Sequence, residues 1–194
     1  MRIPALCLAA LLLLSGCSAP DYTAARDWAR TASIAVDHPS AAAQATSRDG
    51  AEAMRDALSL TLAAIARMAD DGVLPYPEDP FVALAARATA ADARGGEAVA
   101  SLGRTLRRAT RSNWRAPQVR YAIRTMDPDV QALAAALVRV AGEETAYAAL
   151  VRRIATDHAT MAARAGDLTE DEMGRSLRAA EDSLRRGVAA MPRG

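Results

Sequence analysis

Forty-nine of the 194 residues are alanine, and this constrains the fold more than any other feature of the chain. Alanine is the strongest helix former, yet it offers a core only one methyl group. Leu, Ile, Val and Phe together number 35, so burial must come from helices that approach closely through small side chains. Aromatic residues make up 4% of the chain and β-branched residues are sparse, which argues against a sandwich, a barrel or a parallel sheet. The expected fold class is all-α, a helical bundle of five to seven helices, some long, with left-handed, near-antiparallel crossings. Few large aliphatic residues together with high net charge would signal disorder. Here 24 basic residues meet 23 acidic ones, for a net charge of +1. All 24 are Arg, a bias that codon usage in a GC-rich genome explains before function does. The same numbers exclude a collagen, a disulfide scaffold and a polyanion-binding tail.

The N-terminus carries an address. Met1-Arg2 supplies a positive start, and Ile3 to Leu14 is an apolar run interrupted only by Pro4 and Cys7. Twelve residues are too few for a permanent span, which takes about 20, and suit the apolar region of a secretory signal. Leu14-Ser15-Gly16-Cys17 resembles the lipobox of bacterial lipoproteins. That resemblance implies a diacylglyceryl group on the Cys17 thiol, cleavage before it, and an acyl chain on the new N-terminus. It also implies membrane anchoring through these chains, with Ser18 favouring the periplasmic face of the outer membrane in an organism that has one. Cys7 has no such context and leaves with the signal. The expected organisation is a signal peptide over 1–16, a tether over 17–20 and one helical domain over 21–194.

Along the mature chain, Asp21 is a candidate N-cap for a helix carrying Ala25, Trp28, Ala29, Ala32 and Val36. A second tract spans about Ser40 to Asp71, with Met54, Leu58, Leu62, Ile65 and Ala69 on one face. Pro75 and Pro77 mark an extended connector. Asp79-Pro80 predicts a helix start, ending near Gly95-Gly96, followed by a helix from Glu97 to Asn113 and another through Val119, Ile123 and Met126. Asp127-Pro128 repeats the start signal. From Val130 through Leu133, Leu137, Val140, Glu144, Tyr147, Val151, Ile154, His158 and Met161 the spacing alternates three and four, a heptad seam. It predicts one helix from Pro128 to about Ala165, roughly 55 Å long. Thr169 and Glu172 form a capping-box pattern for the last helix, with Leu177, Leu184 and Val188.

Catalytic and metal motifs are missing from the sequence. His38 sits before Pro39 in a turn, without a second ligand at zinc spacing. His158 in the seam reads as a core histidine satisfied by a carbonyl or carboxylate, including one from another helix. Glu144 lies about 21 Å from it along a continuous helix. No nucleophile elbow or phosphate loop occurs. Glu170-Asp171-Glu172 suits a helix first turn, and no cofactor is implied beyond the lipid on Cys17.

One charge block stands out. Ala98 to Met126 holds Arg104, Arg107, Arg108, Arg111, Arg115, Arg120 and Arg124 and no acid, between two net-acidic tracts. On a helical wheel Arg104 to Arg115 occupy one side and Val99, Leu102, Leu106 and Ala109 the other. Either this face meets an anionic partner such as headgroups, an envelope polymer or an acidic protein, or it is solvated or neutralised by the chain's own acidic helices. Nucleic acid is not expected outside the cytoplasm. Trp114 and Tyr121 beside the block are candidate core plugs or interface anchors. The expected role is a lipid-anchored, non-enzymatic interaction or scaffolding module, with the heptad helix as its partner surface. The alternatives are an anionic-surface binder acting through the Arg block and an enzyme assembled from dispersed residues. Homo-oligomerisation is left open.

Overall fold

The computed structural model describes residues 20–191. Seven α-helices follow one another among them: α1 (Thr23–Val36), α2 (Arg48–Ala69), α3 (Phe81–Ala91), α4 (Ala93–Arg111), α5 (Val119–Ala141), α6 (Ala146–Ala163) and α7 (Asp171–Ala189). Short 3₁₀ turns at Pro39–Ala42, Ala116–Gln118 and Ala165–Asp167 bridge three of the connections, and no strand occurs among the described residues.

The helices alternate up and down, and contacts at their ends fix this topology. At the end where α1 begins, here called the base, Arg26 pairs with Asp70 at 3.0 Å. There too Arg115 donates to the Asp71 carbonyl at 2.7 Å and Arg120 to Thr169 Oγ1 at 2.8 Å. At the opposite end, Thr46 N–H donates to the Val140 carbonyl at 2.9 Å. Tyr147 Oη donates there to the Val36 carbonyl at 2.8 Å, and Arg139 pairs with Asp92 at 2.8 Å. Helix α1 packs between α2 and α7, α4 between α3 and α5, and α5 against α6.

The core is one continuous cluster in which alanines from all seven helices separate a few large fillers. Trp28, Met54, Phe81 and Tyr147 are fully or almost fully buried. Close approach is visible where the side chain is missing altogether. A methyl group at Gly50 would collide with the Ala91 side chain, and one at Gly103 would meet Phe81 Cβ at 2.6 Å. Close packing of this kind places backbone dispersion contacts where a leucine-rich bundle would use side chains.

Several sequence expectations need correction. The seam does not run through one long helix. Helix α5 ends at Ala141, Gly142 adopts φ 95°, and Thr145 Oγ1 caps α6 by accepting from the Ala148 N–H at 3.0 Å. The chain therefore folds back as a helical hairpin, and Glu144 lies exposed in its turn. Val138 and Leu150, on the proposed partner surface, are buried, at 6% and 7% exposure. Asp127-Pro128 starts nothing; Pro128 lies inside α5 at an exposed position, so the missing N–H faces the solvent side. The break between α3 and α4 falls at Asp92, whose carboxylate accepts from the Gly95 N–H at 2.8 Å. Gly95 and Gly96 thus belong to the first turn of α4. Helix α2 starts only at Ser47, which caps the Gly50 N–H, because the segment before it forms the 3₁₀ turn. The capping box at Thr169 is not made; residue 170 occupies the N-cap position and the Thr169 hydroxyl accepts from Arg120.

Candidate functional site

The Arg block spans the corner where α4 turns into α5 at the base. Helix α4 ends at Arg111, and Asn113 takes φ 50° while the Trp114 N–H donates back to the Ala109 carbonyl at 2.8 Å. This is a left-handed helix stop. It puts Arg115 beyond the helix, so the single face from Arg104 to Arg115 read from the sequence is divided between α4 and the turn that follows. The Gln118 side chain accepts from the Arg115 N–H at 3.0 Å and starts the short turn into α5.

The seven arginines separate into two groups. Arg107, Arg115 and Arg120 are half-buried, and the last two hold parts of the fold together. Arg115 bonds Asn113 and the Asp71 carbonyl. Arg120 lies 5.9 Å from the centre of the Tyr22 ring, a cation–π distance, and bonds Thr169. The Nε atoms of Arg107 and Arg120 are buried without a protein partner. Arg104, Arg108, Arg111 and Arg124 are exposed. Among the described residues none of the seven is in an ion pair, whereas Arg26, Arg55, Arg87, Arg139, Arg153 and Arg185 all bond carboxylates. Of the expectation that the face is solvated or neutralised by the chain's own acidic helices, direct ion pairing is not seen among these residues, and the exposed side chains fit a solvated face.

Beside these cations stand the two aromatic residues of the corner. Trp114 and Tyr121 meet edge to face with ring centres 5.2 Å apart. Tyr121 is 54% exposed, and Arg124 lies one turn further along the same exposed side of α5. Tyr121 is therefore a surface feature, whereas Trp114 is half-buried and packs against the core. Of the acids at the base, Asp70 pairs with Arg26, and Asp167 and Glu172 with Arg164, while Asp21, Glu170 and Asp171 are exposed and in no ion pair among the described residues. Asp71 accepts from the Ala116 N–H.

A second constellation brings together residues that the sequence reading kept apart. His158, with no exposed surface, donates from Nδ1 to Asp127 Oδ1 at 2.8 Å. Gln131 donates to the same oxygen at 3.0 Å and to the Ala155 carbonyl at 2.9 Å. The hydrogen bond from His158 holds the Asp127 carboxyl below its ordinary range, aided by Gln131 against the opposing effect of burial. An imidazole fixed in this way presents Nε2 as an acceptor, but that atom is buried without a partner. None of the surface grooves that flank α5, α6 and α7 has His158 in its lining. The arrangement works as a polar clamp between α5 and α6. Its sequence signal was Gly142 followed by a capping Thr145, which together mark a helix stop and restart.

No group of three or more His, Cys, Asp or Glu able to hold a metal occurs among the described residues. No helix among them is long and apolar enough to cross a membrane. Cys17 and the signal lie outside the described residues. Comparison of the chain with protein-family models, curated proteins and solved structures finds no match.

Proposed function

We propose that the chain is an exported, lipid-tethered binding module that engages an anionic partner through Arg104, Arg108, Arg111 and Arg124. The observation that carries this reading is that, among the described residues, none of the seven arginines of the block has a carboxylate partner, whereas nine of the fifteen other arginines do. Four unpaired guanidinium groups on one corner repel one another, and a planar fork suits phosphate and carboxylate groups. An external anion relieves that repulsion. The tether follows from the lipobox at Leu14 to Cys17, and two or three acyl chains suffice for stable anchoring. The role is one of scaffolding or recognition, with no substrate turned over.

Photo-cross-linking amino acids at Ser101 and Ser112, which flank the arginines on α4, test the reading in intact cells. Adducts whose mass identifies a phosphate- or carboxylate-bearing species are expected, and Arg104→Glu, Arg108→Glu and Arg111→Glu together should abolish them. If irradiation yields only internal links within one chain, the binding role falls. The tether is checked separately by the mass on residue 17 and by Cys17→Ala, which is expected to leave the protein unprocessed or released from membranes.

A further inference from the structure

The partner of the Arg corner is an anionic bilayer surface: we infer that the α4–α5 corner lies against the headgroups of the membrane that holds the tether. This rests on the tethered-module reading and goes further by naming what the arginines touch.

Three independent features meet at this corner. The first is where the chain enters the bundle. Tyr22, 3% exposed, packs beneath the Arg120 guanidinium, so the chain enters α1 on the same end of the bundle as the turn from α4 to α5. Cys17 precedes Tyr22 by five residues, a reach of at most roughly 17 Å. A lipid on Cys17 therefore holds the base close to the bilayer and leaves the opposite end, with Asp92 and Arg139, pointing away.

The second is charge. Arg108, Arg111 and Arg124 are exposed at or near the base without ion-pair partners, and each basic residue near an anionic leaflet is attracted to it. The third is the pair of aromatic rings. Trp114 and Tyr121 belong to the type that settles at the boundary between headgroups and acyl chains, apolar body inward and polar tip wet. Tyr121 at 54% exposure, with Trp114 half-buried behind it and Arg on both helices, suits that layer. Aromatic and Arg residues also mark protein interfaces, so the position of the tether at this end is what favours the bilayer over an acidic protein.

The rings also provide the measurement. The chain has two tryptophans; Trp28 has no exposed surface and Trp114 sits on the proposed contact. The protein as isolated from cell membranes is reconstituted into vesicles of phosphatidylcholine, with or without phosphatidylglycerol, containing lipids brominated near the headgroup end of the acyl chain. Quenching of one tryptophan component is expected in the phosphatidylglycerol vesicles and not in pure phosphatidylcholine. It should disappear in high salt and in Trp114→Phe. Replacing Arg108, Arg111 and Arg124 together by Glu should lower the docked fraction at least about tenfold. All three are exposed, and circular dichroism confirms that the variant is folded. Equal quenching with and without anionic lipid overturns the inference, as does none in either. Photo-adducts at Ser112 carrying an acidic protein and no lipid overturn it too, while leaving the binding role intact. A chain found unlipidated would remove the tether, but the same vesicles added to it still report whether the corner docks.

Discussion

Asp127 and His158 stand 31 residues apart in sequence and share one hydrogen bond in the core. Breaking that bond strands a buried group, the costly half of hydrogen-bond energetics. Asp127→Asn keeps an oxygen that can accept from His158 but removes the charge that strengthens the bond, and is expected to destabilise the protein by about 1 kcal/mol, measured by urea unfolding at neutral pH. The pH dependence follows from the depressed carboxyl of Asp127. A carboxyl whose pKa is lower in the folded than in the unfolded chain stabilises fully above its unfolded value. That contribution is lost as pH falls through the folded one. The gap between wild type and Asp127→Asn should accordingly narrow below about pH 4; a constant gap down to pH 3 would mean that the carboxylate charge contributes nothing. His158 was legible in the sequence as a core histidine to be satisfied by a carbonyl or a carboxylate. Its partner was not, because Asp127 before a proline looks like a helix cap and only the fold-back at Gly142 brings the two helices together.

That fold-back shows what periodicity leaves open at the level of elements. Spacings of three and four say which face is buried and nothing about whether the axis reverses, since the apolar phase runs on from Val140 to Tyr147 without a slip. The stripes of α1 and α2 were read correctly from Trp28, Ala32, Met54, Leu58 and Ile65, all buried. Boundaries failed where a side chain decided them. Asp92 caps α4, Ser47 caps α2 and Thr145 caps α6; each is one polar residue inside an Ala-rich stretch of strong helix propensity. Gly142 at φ 95° and ψ 115° is in a region that L side chains rarely adopt, and an added Cβ would stand 3.3 Å from Thr145 Cγ2. Gly142→Ala is expected to lower stability by about 1–3 kcal/mol, read from the urea midpoint. An unchanged midpoint would show that the turn relaxes without strain.

Across the whole molecule, a net charge of only +1 hides an uneven surface, and that unevenness was visible in the sequence as an acid-free block. The split into four exposed and three half-buried arginines was not, because it depends on where α4 stops and on Tyr22 and Thr169 arriving from distant segments. Pairing predicts the energetic difference. Reversing Arg104, Arg108 and Arg111 to Glu should alter stability by no more than about 0.5 kcal/mol, since no carboxylate among the described residues loses a partner. A loss beyond 1 kcal/mol in the same unfolding assay would reveal a structural role for these side chains. The turn at Gly142 has a consequence at this scale too. Because the buried stripe keeps its phase through residues 141–146, straightening the turn gives one helix from Val119 to Ala163, about 67 Å long, with its apolar side intact. Such a helix would deliver α6 and α7 to the core of a second molecule, and two chains would exchange these segments to form a domain-swapped dimer. The glycine that permits the reversal thereby also closes α6 and α7 onto the core of their own chain.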